Sequence, residues 1–128
     1  MPFELHWKPQ GVVKQHHGHL TGSELVAGAA AVCSDPRYDR LRYIINDFSA
    51  VCSHDISEAD VEHYASLRIG AVLSNRHILS PFVATDEPGT GIARLLQQPA
   101  YRNGHPVEIF PDLESAYAWL TQTLQADK

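Results

Sequence analysis

The segment LRYIINDF, residues 41–48, limits the fold more than any other stretch of this 128-residue chain. It is nearly continuous in apolar side chains. A strand with one wet face alternates apolar and polar residues, so this run reads as a central strand covered on both faces. The segments on either side supply the covers. Upstream, GSELVAGAAAVCS repeats Leu25, Ala29 and Val32 at helical intervals, with Thr21 and Glu24 in capping-box spacing. Downstream, SEADVEHYASLRIGAVLSN places Val61, Tyr64, Leu67, Arg68, Ala71 and Val72 at steps of three and four, with Asn75 as its stop.

The rest of the chain continues the alternation. FELHWK sets Phe3, Leu5 and Trp7 against Glu4, His6 and Lys8, the period of a strand with one wet face. Pro9, Gln10 and Gly11 turn it into VVKQHHGHL as a hairpin partner. ILSPFVAT is the next strand, where Pro81 removes a ladder donor and marks a strand start or an exposed edge. GTGIARLLQQPAY is helical after Thr90, PVEIF is a short strand, and from Asp112 a last helix aligns Leu113, Ala116, Tyr117, Leu120 and Leu124. The expected fold is α/β: one domain over residues 1–128, with a mixed, mostly parallel five-stranded sheet, an N-terminal antiparallel hairpin and about four helices.

Composition narrows the function classes. The formal net charge is -5, and the few basic residues are scattered apart from Arg37, Arg40 and Arg42, which disfavours nucleic acid as a partner. No apolar stretch approaches the length of a membrane helix, and the N-terminus has no apolar signal run, so a cytoplasmic protein without membrane insertion is expected. Cys33 and Cys52 form no CxxC pair and read as small buried residues in a reducing compartment.

Several clusters carry candidate chemistry. Asp47, Ser49, Cys52, Ser53, His54, Asp55 and Ser57 follow the central strand, and ligands in open α/β sheets gather beyond the carboxyl ends of strands. Asp47, Ser49 and His54 are therefore expected to line a small polar cleft, and Asp55 and Ser57 complete a regulatory or ligand-binding loop. A Ser/His/Asp set from Ser49 or Ser53 with His54 and Asp55 lacks the usual nucleophile elbow, and neighbours in sequence rarely point at one another, so no catalytic residue is assigned. Gly89, Thr90 and Gly91 form an anion-binding candidate at a helix start, against a simple tight turn with Thr90 as cap. His16, His17 and His19 suggest a metal pair in His17 and His19, yet no third ligand is compelled, so wet strand-end histidines, with neither metal nor cofactor, are expected.

The alanine-rich first helix, the strand ending in Asp47-Phe48-Ser49 and the C-terminal VEIFPDLESAYAWL resemble the SpoIIAA-like family of small bacterial proteins, related in fold to STAS domains and more distantly to CRAL-TRIO. The resemblance runs from about Gly11 to Leu120, with Phe110, Leu113, Ala116, Trp119 and Leu120 its most specific residues. It implies a non-enzymatic regulatory module that binds a protein or small ligand. By analogy with STAS anti-sigma antagonists, Ser57 falls at the phosphoacceptor position, with Ile56 and Glu58 where that motif has Ser and Gly. The competing reading makes Ser57 a helix cap with Asp60 at its third position. The CRAL-TRIO relation implies an apolar-ligand carrier as an alternative, and a hydrolase using residues 47–57 ranks last. An exposed Phe3, Leu5 and Trp7 stripe on an edge strand is expected to favour a homodimer.

Overall fold

The structure, a computed structural model, describes residues 3–97 and 108–126. Strand β1 (Phe3–Trp7) turns back as β2 (Gly11–Leu20), followed by α1 (Gly22–Cys33), β3 (Tyr43–His54), α2 (Glu58–Ser74), β4 (Phe82–Val83), α3 (Gly89–Gln97), β5 (Ile109–Phe110) and α4 (Leu113–Ala126). The sheet has five strands in sequential order, β1 antiparallel to β2 and the rest parallel. This is the α/β architecture that the alternating segments predict.

Each helix has a sequence reason to be where it is. Thr21 closes a full capping box on α1: its hydroxyl accepts the Glu24 amide at 3.1 Å and the Glu24 carboxylate accepts the Thr21 amide at 3.3 Å. Asp112 starts α4 by accepting the Ser115 amide at 2.7 Å. Asn75 stops α2, its side-chain amide donating to the carbonyls of Tyr38 and Leu41 at 2.9 and 2.8 Å.

Helices α1, α2 and α3 cover one face, where Leu25, Ala29, Val61, Tyr64, Ile92 and Leu96 pack on Phe48 and Phe82. Among the described residues helix α4 covers the other, setting Ala116 and Leu120 on Val13, Tyr43, Ile45 and Val83, with Leu113, Tyr117 and Leu124 alongside. The helical stripe read from the sequence of α4 is thus the stripe that packs. Tyr43 and Ile45 face α4 while Ile44 and Phe48 face the opposite layer, which is why this strand tolerates no polar alternation.

Four expectations are corrected. Residues 49–54 are not loop: they continue β3, pairing His17 with Ala50, Gly18 with Val51, His19 with Ser53 and Leu20 with His54. Their polar side chains are compatible with a strand because Ser49, Ala50, Cys52 and Ser53 are exposed while Val51 is buried. Phe3, Leu5 and Trp7 form no adhesive stripe: Phe3 is buried, Leu5 and Trp7 pack beside Val12 and Val32, and the Arg37 guanidinium lies 3.6 Å from the centre of the Trp7 ring. Pro81 precedes the start of β4, the first of its two expected placements, and β4 lies between β3 and β5. Helix α3 begins at Gly89, one residue before Thr90. Cys52 is exposed and Cys33 half-buried, so neither is a core residue. The predicted end of the third helix at Tyr101 and the start of the fifth strand at Pro106 lie outside the described residues.

Candidate functional site

Strands β2 and β3, of ten and twelve residues, run well past the two-residue β4, whose register covers only Asn46 and Asp47 of β3. A two-stranded ribbon therefore projects at the carboxyl end of the sheet, beside the starts of α1 and α2. Leu20 and Val51 anchor it to the helices, and His17, His19, Ala50, Cys52 and Ser53 are exposed.

Gly18 in the ribbon has φ of 70°, a left-handed conformation suited to glycine, and the pairing shifts register between Gln15 and His17 and between Gly18 and His19. His17 and His19 are both exposed on this ribbon. His19 reaches across the ladder, its Nδ1 2.7 Å from Ser53 Oγ and its Nε2 3.8 Å from Asp55 Oδ2. Asp55 is itself anchored, since its Oδ1 accepts the Gly22 amide at the start of α1 at 3.1 Å. Among the described residues, no group of three or more His, Cys, Asp or Glu side chains is gathered in a metal-binding arrangement.

The other predicted residues separate. Asp47 is buried and turned inward, accepting the amide and hydroxyl of Ser49 at 2.9 and 2.6 Å and the Gln15 side-chain amide at 3.3 Å. His54 does not join a triad: its Nδ1 accepts the Ile56 amide at 3.1 Å and shapes the turn into α2. Asp47 and Ser49 thus bond each other, while His54 belongs to a separate hydrogen-bond group. Ser57 accepts the Asp60 amide at 3.2 Å and donates its own amide to the Asp60 carboxylate at 2.9 Å, a reciprocal cap that holds Asp60 below the usual carboxylate range. Replacing Ser57 with Ala is expected to cost about 1 kcal/mol of folding stability by urea denaturation. An unchanged midpoint would show that the cap contributes nothing.

Gly22 leaves room for the same cap: a Cβ there would meet the Asp60 carboxylate, which would have to shift. At the third candidate, the Gly91 amide is already taken by Glu87, whose carboxylate accepts it at 3.0 Å and meets Arg94 at 3.2 Å. Gly89 packs against the Phe48 carbonyl, where a Cβ would come within 2.8 Å. These three residues therefore meet the chain's own groups.

The sequence reading missed an interior polar group. Lys14 is 2% exposed, its ammonium 5.5 Å from the centre of the Tyr64 ring, and the Tyr64 hydroxyl accepts from Arg68 at 3.4 Å. Burial pushes the Lys14 pKa down. Burial also raises the Tyr64 phenol, but Lys14 and Arg68 together outweigh it and leave it lowered. His16 is fully buried between Phe3 and Phe48, neither ring nitrogen has a hydrogen-bond partner among the described residues, and burial drives its pKa down to about 3. The signal was present in the alternation of Val12, Lys14 and His16, which puts all three on one face; the expectation of a wet strand-end histidine is corrected for His16, which is buried.

The grooves among the described residues do not include His19, Ser53 or Asp55. Shallow grooves lie at the opposite end of the sheet, lined by Gln10, Arg42, Tyr43 and Tyr117 and by Asp39, Arg40, Asn75 and His77. The hydrogen-bonded His19 and Ser53 side chains lie on the ribbon instead. No protein-family model matches the chain, and no curated protein matches it. No helix among the described residues is long and apolar enough to cross a membrane.

Proposed function

We propose that this chain is a non-enzymatic regulatory module of the SpoIIAA-like type, cytoplasmic, docking a protein partner or a small ligand through the β2–β3 ribbon. The observation that carries the reading is the overhang of β3 beyond β4, which presents His19, Ser53 and Asp55 on a framework fixed by helix caps. Those caps leave the rim little freedom to rearrange, and a preorganised surface loses less entropy on docking. The interior between the sheet and α1 and α2 is filled by Lys14, His16, Phe48 and Tyr64, which supports surface recognition over internal carriage of an apolar ligand.

A second copy can add to the same architecture at the opposite edge. Strand β1 ends the sheet with its outer backbone unpaired by another strand, and Glu4 and His6 alternate along its exposed side. Antiparallel pairing centred on Leu5 would match the strand with itself and set Glu4 of each copy opposite His6 of the other.

One set of measurements tests both statements. Wild type and an Ala50→Arg variant of equal thermal stability are compared for capture of partners from host lysate and for ligands retained in native mass spectra. A partner or ligand held by wild type and lost in the variant supports the ribbon; identical retention removes it. Sedimentation equilibrium on the same samples reports the β1 pairing, which a monomer at high protein concentration would refute.

A further inference from the structure

We propose that Ser53 is a covalent acceptor, a nucleophile toward small activated carboxylic esters and phosphonyl electrophiles, with His19 as its base and Asp55 orienting the imidazole. Docking does not require this chemistry, and the chemistry does not depend on a partner.

The backbone brings the groups together. His19 and Ser53 are register partners on adjacent parallel strands, so their side chains stand side by side at strand spacing. The 2.7 Å separation of His19 Nδ1 and Ser53 Oγ is that of a strong hydrogen bond. Asp55 Oδ2, 3.8 Å from Nε2, favours the tautomer with its proton on Nε2, which leaves Nδ1 as the acceptor of the serine proton. Its second oxygen is held by the Gly22 amide, so the carboxylate is positioned independently of the histidine. The ring nitrogens are used in the reverse order from the common serine hydrolase relay. Either nitrogen of an imidazole can accept while the other carries the proton, so the base function is retained.

The reaction balances with the groups present. With an activated ester, the Ser53 Oγ–C bond forms as the hydroxyl proton passes to His19 Nδ1. The C–O bond to the leaving alcohol then breaks, and His19 returns the proton to the departing oxygen, leaving an acyl ester on Ser53. With a fluorophosphonate, the O–P bond forms, the P–F bond breaks, fluoride departs and the proton passes through His19 to solvent. The side chains of His19 and Asp55 are 52% and 61% exposed, so an electrophile in solution reaches the site without any opening motion.

The test uses the full chain, a fluorophosphonate probe, and intact mass with peptide mapping. One adduct per chain is expected on Ser53, absent in Ser53→Ala and retained in Ser66→Ala, an exposed serine on α2. His19→Gln should slow labelling at least about tenfold, because a general base contributes on that scale or more. The wild-type rate should rise with pH through one ionisation that His19→Gln lacks, a readout that a purely structural role would not move. Absence of an adduct on Ser53, equal labelling of Ser53→Ala, or a His19→Gln rate equal to wild type would overturn the assignment.

Discussion

Between about pH 7.5 and about pH 5 the protein is expected to lose about 2 kcal/mol of folding stability, and His16 is the cause. Its ring is fully buried against Phe3 and Phe48, with the Gly28 turn of α1 packed so closely that a Cβ there would lie 3.1 Å from the imidazole. The charges acting on it, Lys14 and His17, also oppose a proton. Its folded pKa of about 3 lies below the 6.5 of an ordinary histidine, so between those values the unfolded chain holds a proton that the folded chain refuses. The contribution is complete above the unfolded value and is lost as pH falls toward the folded one. Asp35, Asp60 and Asp112 are also lowered, but carboxylates act further down the scale, and the His16→Leu comparison separates the share of His16 from that of Lys14, which burial also lowers. Urea denaturation at the two pH values measures the loss. A His16→Leu variant should show little of it, and an equal pH slope in both proteins would rule His16 out.

Replacing Phe48 with Ala should cost about 3–5 kcal/mol, the range for removing a fully buried aromatic ring. Phe48 is 1% exposed and stacks on His16 at 5.5 Å and on Phe82 at 5.7 Å, so its loss leaves a cavity at the junction of β3, β4 and α3. The two predictions are coupled. Without Phe48 water reaches the imidazole, the desolvation holding its pKa down relaxes, and the acid sensitivity of the variant should shrink. A double-mutant cycle with His16→Leu reads that coupling directly. A Phe48→Ala loss below about 1 kcal/mol would mean that the site collapses freely and is not a rigid core.

The legible parts of the chain were those decided by local chemistry. Thr21 with Glu24, Ser57 with Asp60, and Asp112 ahead of Leu113 mark helix starts by residue type and spacing, and each forms its cap. The packing stripe of α4 follows from a period of 3.6 residues, and the covered strand at residue 43 onward follows from its lack of alternation. The polar stretch from Ser49 to His54 was not legible as strand, because small polar residues carry little intrinsic preference for the pleat. Its pairing comes from β2, a partner more than thirty residues away in sequence.

The candidate site divides the same way. Sequence placed Ser53 and Asp55 beyond a central strand, where ligands gather, but it gave the imidazole to His54, their neighbour in the chain. The Gly18 bulge and the parallel register instead bring His19 to Ser53 and Asp55, while His54 turns to the Ile56 amide. Residue type and spacing thus determined the layered α/β order, the caps and the apolar faces, all interactions within a few residues. Which imidazole meets which hydroxyl, and which histidine and lysine are buried, depended on contacts between distant segments. Those contacts exist only once the strands have paired and the helices have closed over them.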